Sequence, residues 1–277
     1  MKLQLPRQRE LDLSRPQIMG ILNVTPDSFS DGGQHQALDQ ALLRAEQMLR
    51  DGATILDIGG ESTRPGASEV SVTEELARVL PLISTIRQHF DCVISVDTSK
   101  AEVMSAAVQA GADIINDVRA LEAPQALSTA ASLGVPVCIM HMQGAPRTMQ
   151  HAPQYEDVVR EVCQYLLERA MQCQQAGIAA SQIILDPGFG FGKNLAHNYQ
   201  LLAALPQFVA SGYPVLAGMS RKSMIGQLLD LPVADRLSGS LACATLAAYA
   251  GAQIIRVHDV KESVQAVRIA AAARFGV

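Results

Sequence analysis

A chain of 277 residues is long enough for one large α/β domain, and a hydrophobic content of 48% excludes global disorder. The net charge of −5 argues against a nucleic-acid binder whose main work is phosphate neutralisation, so an anion site must be a local concentration of Arg, Lys and His. There is no Trp and the other aromatics are few, which disfavours a stacking platform for single-stranded nucleic acid.

Residues 1–15 mix Lys, Arg, Glu and Asp with no apolar core, so no signal peptide is expected. The first strand is Ile18 to Leu22, with no charge on either face. It reaches Asn23 and empties into a Pro/Asp/Ser/Gly loop that continues neither strand nor helix. Ala37, Leu38, Ala41, Leu42, Ala45, Met48 and Leu49 then recur at helical spacing up to Asp51-Gly52. The second strand, Thr54 to Ile58, contains Asp57, which reads either as a functional carboxylate or as a brace for the Gly59-Gly60 loop. Ser71 to Glu74 and Ser99 to Glu102 each look like a capping box opening a helix. Between them lies the third strand, Val93 to Val96, ending at Asp97.

The fourth strand, Ile114-Ile115, ends at Asn116-Asp117, and a helix is expected from near Pro124. The fifth, Val135 to Met140, runs into His141, and a long helix is expected from about Tyr155 to Ala176. The sixth, Ile183 to Leu185, ends at Asp186 and a glycine-rich run to Lys193. The seventh, Pro214 to Ala217, ends at Gly218 to Ser223, and helices follow over Met224 to Leu229 and Asp235 to Tyr249. The eighth, Gln253 to Ile255, ends at Arg256-Val257-His258-Asp259, and a last helix runs to about Arg274. The uncharged stretch Leu237 to Ile255 is too rich in Ala, Ser, Gly and Thr to drive membrane insertion. The five cysteines form no CxxC pair and read as small buried hydrophobes in a reducing compartment.

Eight strands alternating with helices imply a parallel sheet with βα crossovers. At roughly 30 residues per unit the expectation is a single-domain (β/α)8 TIM barrel over 1–277, with long βα loops 1 and 2 above its C-terminal mouth. In a barrel the strand ends converge, so Asn23, Asp57, Asp97, Asn116, His141, Asp186, Lys222, Arg256 and His258 should share one mouth. Carboxylates and an amide suit a donor-rich heterocycle, while Arg64, Arg221, Lys222, Arg256 and His258 suit an anion. Structural alternatives stand beside several of these: a hydrogen-bonded His141, an outward-pointing Asp117 cap, a salt-bridged Arg221 next to a functional Lys222. A P-loop at Gly192-Lys193 fails because Asn194 stands where Ser or Thr is required, and a calcium loop at Asp27 fails because Leu38 stands where Glu is required.

The motifs Asn-Val-Thr-Pro-Asp-Ser-Phe-Ser-Asp-Gly (23–32), Asp-Ile-Gly-Gly-Glu-Ser-Thr-Arg-Pro-Gly (57–66), Ser-Val-Asp-Thr (95–98), Ile-Ile-Asn-Asp (114–117), Met-His-Met-Gln-Gly (140–144), Asp-Pro-Gly-Phe-Gly-Phe-Gly-Lys (186–193), Gly-Met-Ser-Arg-Lys-Ser (218–223) and Arg-Val-His-Asp (256–259) resemble those of the bacterial dihydropteroate synthases. The resemblance implies a cytoplasmic homodimeric barrel that joins (7,8-dihydropterin-6-yl)methyl diphosphate to 4-aminobenzoate with loss of diphosphate, a step of folate synthesis blocked by sulfonamides. It implies a pterin site of Asp97, Asn116, Asp186, Lys222 and Arg256. The diphosphate would meet Asn23, Thr63, Arg64, Arg256 and His258, with Mg²⁺ on Asn23. Phe29, Pro65, Phe191 and Ser223 would line the 4-aminobenzoate pocket, and Asp97, Lys222, Arg256 and His258 would carry the chemistry. A pterin-binding methyltransferase barrel, a non-catalytic pterin-binding paralogue and a Schiff-base aldolase using Lys222 are the rivals.

Overall fold

The computed structural model describes residues 1–24, 33–62, 70–144 and 153–277, with side chains in the first helix from residue 38 onward. An antiparallel hairpin, β1 (Lys2–Leu5) and β2 (Arg9–Asp12), comes first. The barrel units follow: β3 (Gln17–Asn23), α1 (Gly33–Arg50), β4 (Ile55–Gly59), α2 (Val72–His89), β5 (Val93–Asp97), α3 (Ala101–Ala110), β6 (Ile114–Asp117) and α4 (Ala126–Leu133). The second half has β7 (Val137–Met140), α5 (Val158–Gln175), β8 (Ile183–Asp186), α6 (Leu195–Ala203), α7 (Leu205–Val209), β9 (Leu216–Ala217), α8 (Ser223–Leu229), α9 (Leu237–Ala250), β10 (Ile254–Val257) and α10 (Val260–Phe275).

The large sheet runs β8-β7-β6-β5-β4-β3-β10-β9, all parallel. A parallel bridge between Leu185 and Val215 joins its two outer strands. The sheet therefore closes on itself through that bridge, as the alternation predicts. Successive side chains alternate between two buried faces, which is why these strands read as continuous apolar runs. Leu56, Ile58, Ile94, Val96, Ile183 and Leu185 pack outward beneath the helices. Met19, Ile55, Val93, Ile114, Cys138, Ile184, Leu216 and Ile254, one per strand, meet inside. That inner layer is sealed from below by Leu3, Leu5, Leu11 and Leu13. The hairpin thus plugs the N-terminal end of the barrel and leaves the C-terminal end for chemistry.

The plug is fastened through the buried carboxylate of Asp113. Arg9 reaches both of its oxygens at 3.2 Å, Arg7 and Arg87 also bond it, and the Ile94 N–H donates to it at 2.9 Å. No element is expected in residues 1–15 from the sequence, because dense charge hides the period-2 row of leucines.

Three local expectations need correction. The fifth helix begins at Val158, where the Asp157 carboxylate accepts from the Val159 and Arg160 N–H groups at 3.0 Å. Tyr155 stands outside it, and its hydroxyl donates to Gly192 O at 2.8 Å. Ser99 caps no helix: its hydroxyl donates to Asp117, and α3 starts without a side-chain cap. The helix expected near Pro124 starts at Ala126, after a segment in which Ala120, Leu121 and Gln125 all take positive φ. By contrast Ser71 accepts from the Glu74 N–H at 3.2 Å as the capping pattern predicts, although the Glu74 carboxylate turns to Arg78. Among the described residues no helix is long and apolar enough to cross a membrane. All five cysteines are free, and four are buried.

Candidate active site

The centre of the C-terminal mouth is a guanidinium held between two carboxylates. Arg256 on β10 donates through Nε to Asp57 Oδ2 at 2.6 Å and through Nη2 to Asp97 Oδ2 at 2.8 Å. Asp57 has 0% exposure and accepts twice more: from Ser95 Oγ at 2.6 Å and from Asn116 Nδ2 at 3.2 and 3.3 Å. Asp57 is therefore neither a helix cap nor a loop brace, because inward alternation on β4 sends it into the barrel. The three residues that donate to it come from three other strands, β5, β6 and β10. Burial lowers the proton affinity of Arg256, but the charges of Asp57 and Asp97 outweigh it and raise the pKa. Asp97 goes the other way: burial, then the Asp57 charge, push it up to about 7 against the pull of Arg256. Asp57 and Asp97 thus face a fixed guanidinium and leave acceptor capacity that suits a donor-rich ligand.

A second group lies on the β6, β8 and β9 side. Asn116 and Asp186 are buried, and Lys222 is recessed beside them. Burial raises the Asp186 pKa, with Lys222 opposing. Burial also pulls Lys222 down to about 8, with Asp186 opposing. The Lys222 ammonium donates to Phe189 O at 2.5 Å and sits 4.7 Å from the centre of the Phe191 ring. Asp186 Oδ1 accepts from the Gly188 N–H at 2.7 Å, which bends the chain into the loop carrying both phenylalanines.

On the rim, the His258 backbone N–H donates to Ser220 Oγ at 3.2 Å, and the same oxygen lies 3.1 Å from His258 Nδ1. Arg221, grouped with the rim cations in the sequence, turns away: its Nε donates to Asp259 Oδ2 at 2.9 Å, beside the mouth rather than in it. Asn23 closes β3 across from Asp97. Gly59 keeps the space between them clear, since a Cβ there would lie 3.4 Å from both Asn23 Oδ1 and Asp97 Cβ.

The magnesium ion implied by the resemblance can be tested against this donor set. Among the described residues no three His, Cys, Asp or Glu gather as a dedicated cage. One amide oxygen facing an open, carboxylate-flanked space fits Mg²⁺, which keeps waters and takes substrate phosphates as its other ligands.

The barrel brings together Asn23, Asp97, Asn116, Asp186, Lys222, Arg256 and His258, with Phe191 at the same mouth. Ser223 lies exposed at the start of α8. Phe29, Thr63, Arg64 and Pro65 lie outside the described residues. His141 is buried away from the other mouth residues, with Nδ1 3.0 Å from Lys193 Nζ and its ring edge-on to Tyr165 at 5.0 Å. Asp117 is the outward cap, accepting from the Arg119 and Leu121 N–H groups at 2.8 Å. Ser95 and Lys193 were missed. Their signal was position: Ser95 stands inside an apolar strand, and Lys193 ends a run of glycines and phenylalanines.

This parallel barrel gathers carboxylates, an amide, a lysine and an arginine at one mouth, the donor and acceptor set of an enzyme that binds a polar heterocycle. The profile described as "Pterin binding enzyme" matches residues 19–258. The dihydropteroate synthase of Escherichia coli (strain K12) is 62% identical over 259 residues, covering 94% of this chain and 92% of the relative. A Yersinia pestis dihydropteroate synthase solved as a sulfonamide drug complex superposes with a TM-score of 0.94 at 59% identity, over 99% of each chain. The Xanthomonas albilineans dihydropteroate synthase with 4-aminobenzoic acid gives 0.92 at 49% identity, over 99% of this chain and 98% of that one. The chain belongs to the pterin-binding enzyme family, in its dihydropteroate synthase branch.

Proposed function

We propose that the mouth described above condenses (7,8-dihydropterin-6-yl)methyl diphosphate with 4-aminobenzoate, releasing diphosphate and 7,8-dihydropteroate. The observation that carries this reading is Arg256, fixed between Asp57 and Asp97 at the centre of the mouth. Asp186 and Asn116 offer the acceptors and donors a pterin edge needs, and Lys222 supplies a further donor beside them. An aromatic amine is a weak nucleophile, so the electrophile must be activated by ionising the C–O bond. Arg256, His258 and Arg64 favour charge on the departing diphosphate, and Asp97 and Asp186 favour positive charge developing on the pterin methylene carbon. When bound, Mg²⁺ held through Asn23 would neutralise diphosphate charge. Thr63 belongs to the same anion end; Phe29, Pro65, Phe191 and Ser223 form the pocket for 4-aminobenzoate and for sulfonamides that mimic it. The chain acts as one domain over 1–277, in the cytoplasm, as a homodimer.

The test is diphosphate release from the two substrates with and without Mg²⁺. Arg256→Ala should lower kcat by about 10²-fold or more with the far-UV spectrum unchanged; wild-type turnover would refute the assignment. The depressed Lys222 gives a Schiff-base reading a foothold. Borohydride labelling of Lys222 in the presence of substrate would favour that reading over this one.

A further inference from the structure

The loop between β8 and α6 is gripped at alternate carbonyls by two lysines. Lys222 Nζ donates to Phe189 O at 2.5 Å, and Lys193 Nζ donates to Phe191 O at 2.9 Å. Lys193 is buried, and its amine also meets His141 Nδ1 at 3.0 Å and His141 O at 3.3 Å. His141 directly follows β7, so Lys193 ties the β8 loop to the β7 loop. The two backbones are already in contact there. A Cβ on Gly188 would come 1.9 Å from His141 O, and one on Gly192 would come 2.4 Å from Gln143 O; both glycines have positive φ.

We propose that Lys193, with His141 as its acceptor, is a positioning residue that fixes the Phe189–Gly192 backbone and so aims Lys222 and the Phe191 ring at the junction of the two substrates. The inference rests on the roles given above to Lys222 and Phe191. Removing the lysine leaves the carbonyls of Phe191 and His141 without their donor, a strain that only movement or entering water relieves. The Gly190 N–H is anchored independently by Asn198 Oδ1 at 2.7 Å. The loop therefore tilts about that anchor rather than melting, and the tilt carries Phe189 O away from Lys222. Burial and the Lys193 charge push His141 down to about 3, so the ring stays neutral and Nδ1 stays an acceptor for the lysine at neutral pH.

Lys193→Met removes the donor and His141→Leu the acceptor, while His141→Asn puts an oxygen near the place of Nδ1. In steady-state diphosphate release, Lys193→Met and His141→Leu should raise KM for 4-aminobenzoate about tenfold or more, change kcat by less than about threefold, and shift the alkaline limb that Lys222 sets. His141→Asn should restore KM. A purely structural lesion would lower Tm and the active fraction but leave KM and the pH limb at wild-type values; that result in both variants overturns the inference. If Lys193→Met does not fold, the His141→Leu and His141→Asn pair decides. A crystal structure of His141→Leu gives a readout free of turnover: a Phe191 ring moved off Lys222 supports the clamp, and an unmoved ring overturns it. A wild-type protein that releases no diphosphate would refute the catalytic reading instead, and the ring position would then decide the clamp alone.

Discussion

Asp57 shows how much one residue can hold in place. Its carboxylate holds Arg256, Ser95 and Asn116 at once. Asp57→Asn removes the charge and leaves Arg256 with Asp97 alone. The expected outcome is a loss of about 3 kcal/mol in urea unfolding and a fall in kcat/KM of about 10²-fold, because a guanidinium displaced by about 1 Å no longer meets its substrate. The placement of Asp97, Asn116, Asp186, Lys222, Arg256 and His258 at one mouth was legible in the sequence because each lies at or just past the end of an apolar strand. Asp57 was legible only in part: its place at the mouth was expected, but a charge in mid-strand also reads as a cap or brace until the inward direction is known. His141 was undecidable for a related reason: its partner Lys193 lies on the next βα loop. The imidazole also sets a pH dependence. Its folded-state pKa, about 3, is below the unfolded value of about 6.5, so protons bind preferentially to the unfolded chain. Its contribution to stability is complete above pH 6.5 and is lost as the pH falls toward 3. Between pH 7.5 and pH 5 the wild type should lose about 2 kcal/mol more than His141→Asn, measured as the difference in urea unfolding. The comparison with the variant matters because Asp97, with its raised pKa, contributes with the opposite sign over the same range.

At the scale of elements, the barrel strands and most helices were legible from periodicity alone, since two-sided burial gives unbroken apolar runs and one-sided burial gives stripes. The hairpin was not, because β1 and β2 bury only alternate residues and carry charge on the others. Its weight is still that of a core element. Leu3, with 0% exposure, belongs to the inner layer of the barrel, so Leu3→Ala should cost about 2–5 kcal/mol in urea unfolding. Because the plug lies at the opposite end from the mouth, KM for both substrates should stay within experimental error of wild type. A changed KM would mean that the two ends of the barrel are mechanically coupled.

For the whole molecule, the helical coat is uneven. Leu228 and Leu229 on α8, Val233 after it, and Leu246 and Tyr249 on α9 are all roughly half exposed or more. Large apolar side chains gathered on neighbouring elements mark a surface that a partner covers, which supports the homodimer proposed above. Sedimentation equilibrium should give twice the 29.6 kDa chain mass, and Leu246→Glu should shift the mass toward the monomer with the mouth residues untouched. A monomeric wild type would sink the proposal.

The plug also sets a timetable. During synthesis the hairpin leaves the ribosome before any barrel strand, yet its leucines pack on residues from every strand, the last being Ile254. At about 5–20 residues per second, roughly 10–50 s pass between making Leu13 and making its final neighbour. For that interval four leucines and the arginines that grip Asp113 wait on an unfinished surface. A segment made before every barrel strand is thus completed only with the last of them, and chaperones have that span in which to recognise it.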